Sequence, residues 1–100
     1  MQILAISKLK EGTTMEAIGV HGADEVKHTL GAYLDGKIRN FWFQSNRPGV
    51  VFIMETEDED EARRLMDELP LVVAGLMDVD LIPLQPLKPL GMLIGREFSM

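Results

Sequence analysis

The sequence predicts an α+β fold of the ferredoxin-like type, the split βαβ arrangement in which two strand–helix–strand units share one four-stranded sheet. Three observations support this prediction. Strand-like and helix-like segments follow the order strand, helix, strand, strand, helix, strand. Residues 46–49, Asn-Arg-Pro-Gly, form the tight turn expected between the two middle strands. The chain has 100 residues, the length of a single compact domain.

The first half of the chain contains a short apolar strand and a long helix. Residues 3–7 are mostly aliphatic, and a polar segment follows them. Thr13 and Glu16 have the spacing of a capping box, which predicts the start of a helix. Apolar or small residues then recur with helical spacing up to Leu34, and Gly36 suits the left-handed position just after a helix.

The second half contains the hairpin, a second helix and the last strand. Residues 37–45 and 50–56 are rich in aromatic and branched side chains, which favour strands. Thr56 and Glu59 predict the start of the second helix, and residues 77–84 supply the fourth strand. The helix places its apolar residues on one face, with the inward stripe Ala62, Leu65, Met66 and Leu69.

The predicted strands carry apolar residues on both of their faces. By strict alternation, Phe41 and Phe43 face one side of the sheet, and Ile38 and Trp42 face the other. Two helices can cover only one face of a four-stranded sheet, so the other face needs a second apolar surface. We therefore expect the chain to bind a second copy of itself, as a homodimer or a higher homo-oligomer.

The C-terminal residues have a separate pattern. We divide the chain into a ferredoxin-like domain, residues 1–84, and an extended C-terminal arm, residues 85–100. Prolines and leucines both recur every three residues, at Pro83, Pro86 and Pro89 and at Leu81, Leu84, Leu87, Leu90 and Leu93. Three residues per turn is the polyproline II repeat, which would align the leucines along one edge of the arm. We expect this edge to pack on a neighbouring subunit; the alternative is an arm folded on its own domain.

Composition excludes several classes of function. The net charge of −6 argues against nucleic acid as a partner, because phosphate binding needs clustered Lys and Arg. The absence of cysteine excludes disulfides, thiolate nucleophiles and thiolate metal sites. The apolar run at the start is too short for a signal peptide or a membrane span, so we expect a cytoplasmic protein with no membrane partner.

Several segments resemble a known family. Gly-Lys-Ile-Arg-x-Phe-Trp-Phe from Gly36, the Arg-Pro-Gly turn, the acidic helix and Leu-Pro-Leu-Val-x-Ala-Gly-Leu from Leu69 are similar to segments of the muconolactone isomerase-like proteins. These proteins belong to the dimeric α+β barrel superfamily, and the resemblance covers about residues 22–90. It implies that two sheets pair face to face into a barrel. The namesake of the family moves a proton within an unsaturated lactone and uses no cofactor, so the resemblance implies no cofactor here.

The first helix carries the candidate catalytic residues. His21, Glu25 and His28 lie on one side of it, because their offsets are four, three and seven. A carboxylate beside an imidazole is a plausible proton-transfer pair. One alternative is a pair of metal ligands with a third oxygen, and another is a half-exposed helix flank without function. We assign no metal site, since no third histidine or thiolate accompanies them.

The second strand and the end of the first helix supply the remaining candidates. Arg39 lies among aromatic residues, where a guanidinium can hold a small carboxylate or stabilise negative charge. Tyr33 and Trp42 are candidate ligand-binding residues, together with His21. The structural alternatives are that Arg39 covers apolar surface and that the two aromatic residues pack in the core or at an interface.

Two functions fit these residues. The first is a homo-oligomeric α+β barrel protein that binds a small, mostly apolar organic molecule. As an enzyme it would be a cofactor-free isomerase that transfers a proton within an unsaturated lactone or carboxylate, with Glu25 or His28 as the base and Arg39 steadying negative charge. The alternative is a non-catalytic binding or structural oligomer.

Overall fold

The computed structural model of the chain describes residues 1–97 and confirms the predicted α+β fold. The sheet has the order β2-β3-β1-β4, and every neighbouring pair of strands is antiparallel. The elements are β1 (Gln2–Leu9), α1 (Met15–Leu34), β2 (Ile38–Phe43), β3 (Val50–Glu55), α2 (Glu59–Asp67), α3 (Pro70–Val73) and β4 (Met77–Pro83).

The helix starts lie one and two residues later than the capping patterns predict. Thr14, not Thr13, caps α1, and Asp58, not Thr56, caps α2. Thr13 and Thr56 use their hydroxyl groups elsewhere, because they donate hydrogen bonds to the carbonyl groups of Leu76 and Asp58. Both threonines therefore stabilise the connections into the helices instead of the helices themselves.

The hydrophobic core lies between one face of the sheet and the α2–α3 segment. Three of the four residues in the predicted inward stripe, Ala62, Met66 and Leu69, are at most 2% exposed. On the sheet they meet buried apolar residues from all four strands, namely Ile3, Ala5, Ile38, Phe52, Met54, Met77 and Val79. The long helix α1 contributes no buried residue.

The predicted orientation of Ile38 is wrong, because β2 contains a β-bulge at Arg39. Ile38 pairs with Met54 of β3, whereas Asn40 pairs with the next residue, Ile53. The extra residue turns Ile38 onto the helix-covered face, where it is 1% exposed. Phe41 and Phe43 share that face.

The opposite face of the sheet, which we call the open face, is apolar at its centre, as predicted. Its central residues Leu4, Ile6, Val51 and Ile53 are half-buried, and Trp42 and Ile82 are exposed beside them. By the same register the two edge strands also place Asn40, Asp78 and Asp80 on this face. None of these four central residues is fully buried among residues 1–97. The sheet is therefore apolar on its helix-covered face and at the centre of the open face.

The C-terminal arm differs from the predicted polyproline II conformation. Residues Lys88–Ile94 form a 3-10 helix, which also has three residues per turn, so Leu87, Leu90 and Leu93 still share one face. All three are more than half exposed. The backbone of Leu84 donates to the carbonyl of Gln2 at 2.9 Å, and the later hydrogen bonds of the described residues stay within the arm. The radius of gyration is 16.1 Å, against about 13 Å for a compact domain of this length. Residues 98–100 of the predicted arm lie outside the described residues.

Candidate functional site

A groove of about 400 Å³ lies between α1 and the β2–β3 half of the sheet. We call it the aromatic groove. Its lining is almost entirely apolar and comes from one helix and three strands: Glu25, Val26, Thr29 and Leu30 of α1, Phe41, Trp42 and Phe43 of β2, Val50 and Phe52 of β3, and Met77 of β4. Phe52 and Met77 are nearly fully buried, whereas Phe43 is 88% exposed at the rim. A pocket of this size and polarity suits a small organic ring.

Glu25 is the only ionisable side chain among the described residues that line the aromatic groove. It is half-buried, and its Oε1 accepts a hydrogen bond from the backbone N–H of Leu71 at 3.0 Å. Burial raises the pKa of Glu25 above its usual value. The Leu71 hydrogen bond and the charges of His28 and His21 oppose that rise. The groove therefore contains one carboxyl group whose proton affinity is increased and whose position is fixed by α3.

His28 lies on the other flank of α1. It is exposed and lines a second depression, of about 310 Å³, between α1 and the α2–α3 segment, where Lys27, Asp35, Leu65 and Glu68 are among its neighbours. His21, one turn before Glu25, is half-buried. Both histidines act on Glu25 through their charge, and neither lines the aromatic groove.

Arg39 and Tyr33 lie at the C-terminal end of α1. With Leu34, Gly36 and Ile38 they line a shallow pocket of about 280 Å³ that is separate from the aromatic groove. The left-handed Gly36, with φ of 77°, makes the turn that places Arg39 there. Tyr33 contacts the edge of the Phe41 ring, with the ring centroids 6.0 Å apart. Phe41 also lines the aromatic groove. Tyr33 therefore packs against a residue of the groove wall without lining the groove itself.

The three predicted catalytic residues therefore line three different surfaces. Glu25 faces the aromatic groove, His28 the depression between the helices, and Arg39 the shallow pocket. Of the three predicted ligand-binding residues, Trp42 lines the same groove as Glu25, whereas His21 and Tyr33 do not. The structure thus brings together Glu25 and Trp42, and their functional roles remain a prediction.

The sequence did not reveal most of the groove lining. Thr29 lies four residues after Glu25 and so shares its helix face, a spacing that is visible in the sequence. Phe52 and Met77 enter from distant strands, and no local pattern links them to Glu25. Leu71, which holds the carboxylate, is 46 residues away from it.

Two kinds of feature are absent from the described residues. Among residues 1–97, no three His, Asp or Glu side chains lie close enough together to hold a metal ion. Over the same residues, α1 is the longest helix, and neither it nor any other is both long and apolar enough to cross a membrane.

Comparisons with known proteins give a likeness in fold. No family model matches the chain, and no curated protein matches it in sequence. Among solved structures, it is similar to 5-chloro-2-hydroxyhydroquinone dehydrochlorinase (TftG) from Burkholderia phenoliruptrix AC1100, in complex with 2,5-dihydroxybenzoquinone. The TM-score is 0.71 and the identity 19%, over 85% of this chain and 94% of the other. At this identity the likeness establishes the fold, and the muconolactone isomerase-like family stays a prediction.

Proposed function

We propose that this protein binds a small unsaturated or aromatic ring compound in the aromatic groove and transfers a proton within it, with Glu25 as the base. One observation carries the proposal: a half-buried carboxyl group with a raised pKa borders an otherwise apolar groove. A base whose pKa moves towards neutrality is better suited to accept and return a proton near physiological pH. The similar dehydrochlorinase was solved in complex with a ring compound, 2,5-dihydroxybenzoquinone, and this supports a ring-shaped ligand.

The proposed chemistry uses two side chains of α1. The Leu71 N–H engages Oε1 of Glu25, so Oε2 is the oxygen assigned to the ligand. It would take a proton from an acidic C–H or O–H group of the ring and return it at another position. Thr29, one turn further along the same face, lines the groove with the only hydroxyl group among the described lining residues. That hydroxyl would donate a hydrogen bond to the oxygen on which negative charge develops.

His28 and Arg39 have narrower roles in this proposal than the sequence suggested. His28 lies outside the groove and would influence the reaction through its charge, which favours the ionised form of Glu25. Arg39 lies around the end of α1 and would contact only a ligand that extends past Tyr33 and Phe41. We therefore assign the base to Glu25 alone.

We also propose that the protein acts as a homo-oligomer in which the open faces of two subunits pair. The apolar open face supports this, since Leu4, Ile6, Val51 and Ile53 would otherwise meet water. Trp42 belongs to the open face by strand register and also lines the aromatic groove. Subunit pairing would therefore restrict the part of the groove nearest β2. The C-terminal arm would pack its exposed leucine face on the neighbouring subunit.

A non-catalytic binding or structural oligomer is the second candidate. The observation that favours it is the amount of exposed apolar surface on α1, where Met15, Val20, Val26, Leu30 and Leu34 are between 47% and 81% exposed. In that case the groove would be filled by a neighbouring subunit and would bind no ring compound.

Binding and turnover test the proposed function. Trp42 is the only tryptophan in the chain and belongs to the lining of the groove, so a change in its fluorescence serves as the first readout of ligand binding, with calorimetry as the second. We expect a screen of unsaturated lactones and hydroxylated aromatic rings to find compounds that change this fluorescence. For a compound that is converted, Glu25→Gln should lower kcat by about a hundredfold or more while the protein stays folded.

Asp24→Asn is the matched control, since Asp24 is the exposed neighbour of Glu25 and does not line the groove. It should leave both binding and turnover unchanged. Turnover that survives Glu25→Gln would refute the assignment of the base. The absence of any ring compound that binds would favour the non-catalytic candidate.

A further inference from the structure

We infer that the aromatic groove selects ring compounds without a carboxylate, so that neutral lactones, phenols or amides bind and the matching carboxylate anions are rejected. The inference rests on the proposed function and narrows its substrate class, because an unsaturated lactone and an unsaturated carboxylate fit the sequence equally well. The charges around the groove distinguish the neutral lactone from the carboxylate anion.

The described lining of the aromatic groove contains no cationic side chain. None of the Lys or Arg side chains of residues 1–97 lines the aromatic groove. Arg39, the residue predicted to hold a carboxylate, lines the shallow pocket at the end of α1. Three further cations have carboxylate partners: Lys10 has Asp78 at 3.7 Å, Lys37 has Glu61 at 2.9 Å and Arg63 has Asp67 at 3.9 Å. The two histidines near Glu25 lie outside the lining of the groove.

The groove contains an anion instead, the carboxylate of Glu25. The carboxylate of Glu25 is the one ionisable group of the described lining, and its half-buried position weakens the screening of its charge by water. A ligand carboxylate in the same groove would meet this like charge and would lose its own hydration among Phe41, Phe52 and Met77. Each effect opposes anion binding.

The hydrogen bonding that the groove offers also favours a neutral ligand. Glu25 is an acceptor when ionised, and Leu71 already donates to one of its oxygens. A neutral ligand with an O–H or N–H group can donate to the other oxygen. An ionised carboxylate group has no donor, so that group would gain no hydrogen bond from the ionised Glu25.

Two planar ligands of nearly the same shape test the inference: benzamide, which is neutral and carries an N–H donor, and benzoate, which is an anion at pH 7 and carries none. Their affinities for the whole chain are measured by the fluorescence of Trp42 and by isothermal titration calorimetry at low salt. We expect the amide to bind more tightly by about tenfold or more, which corresponds to roughly 1.4 kcal/mol. Glu25→Gln should reduce the ratio to within about threefold, because it removes the like charge and keeps the shape. Asp24→Asn should leave the ratio as it is in the wild type.

Each outcome has a distinct meaning. If the amide binds and the benzoate binds equally or more tightly, the inference is overturned while the proposed site stands. If the ratio of the two affinities is unchanged in Glu25→Gln, the selectivity does not arise from the charge of Glu25, and the inference is overturned. If neither compound binds, the inference is overturned, and the proposed ring-binding function fails with it only if the wider screen of lactones and hydroxylated rings also finds no compound that binds.

Discussion

The two helical regions that cover the sheet differ in how they pack. The short α2, with the Leu69 that follows it, buries nearly every apolar residue that it turns inwards, and Ala62 and Met66 are at most 1% exposed. The 20-residue α1 buries none completely. Its attachment includes one directed contact, the hydrogen bond from Leu71 to Glu25. The comparison indicates that α2 and α3 complete the core, whereas α1 leaves a groove and an apolar surface for other molecules.

Truncating a leucine on each side tests this comparison most strongly. Leu69 is 2% exposed at the α2–α3 junction, and Leu30 of α1 is 47% exposed at the groove. Leu69→Ala should lower the free energy of unfolding by about 2–5 kcal/mol, because it leaves a cavity in the core. Leu30→Ala should cost less than about 1 kcal/mol. Urea denaturation at low protein concentration measures both values.

Equal losses for the two variants would contradict the comparison. They would show that α1 is packed in solution, and in that case the loss at Leu30 should grow with protein concentration if a second copy covers it.

A charge on the open face tests the proposed assembly. Native mass spectrometry at micromolar concentration should show multiples of the 11.2 kDa subunit for the wild type. Ile53→Lys places an ammonium group at the centre of the open face and should weaken association by at least about tenfold, because a buried unpaired charge is costly. Val73→Lys is the control, since Val73 is 73% exposed on α3, away from this face.

Removing the residues after Pro86 should change the assembly less than Ile53→Lys does, as measured by native mass spectrometry. If the exposed leucine face of the arm packs on a neighbour, the truncated chain should form smaller assemblies or melt at a lower temperature. A wild type that is only monomeric would refute the pairing of open faces. An unchanged assembly after truncation would refute the role of the arm alone.

The sequence predicts the local features of the molecule better than those that depend on contacts between distant segments. The inward stripe of α2 and the end of α1 at Gly36 follow from helical spacing and backbone freedom, which are local properties. The orientation of Ile38 does not follow from local properties. It is set by the bulge at Arg39, which shifts the pairing of β2 with β3 and which strict alternation does not predict. In the C-terminal arm the spacing of three is correct, but 3-10 and polyproline II helices share that repeat.

The candidate site shows the same limit. Glu25 could be selected from the sequence because of its neighbours on the helix. Its separation from Arg39 could not, because strict alternation along β2 assumes that no bulge intervenes, and the bulge lies at Arg39 itself. Which residues share a cavity depends on how far α1 stands from the sheet, and that distance is set by packing over the whole domain.

The smallest expected effect concerns the anchor of α1 itself. Because burial raises the pKa of Glu25, the folded protein holds that proton more tightly than the unfolded chain does. The resulting stabilisation is complete below the unfolded pKa of about 4.3 and is lost as the pH rises through the folded pKa. Glu25→Gln removes this loss, so its free energy of unfolding relative to wild type should increase from pH 4 to pH 7. Asp24→Asn controls for the removal of one negative charge from α1.

Urea denaturation of the three proteins across this pH range measures the difference, from which the titrations common to all of them cancel. A relative stability of Glu25→Gln that falls with rising pH would mean that the Leu71 hydrogen bond and the two histidine charges outweigh burial. α1 would then be held by an ordinary stabilising ion, and Glu25 would be an anchor for α3. A relative stability that rises means that the folded protein keeps a carboxyl group at a cost in stability. Such a cost is typical of functional sites, and it would distinguish the groove under α1 from the core under α2.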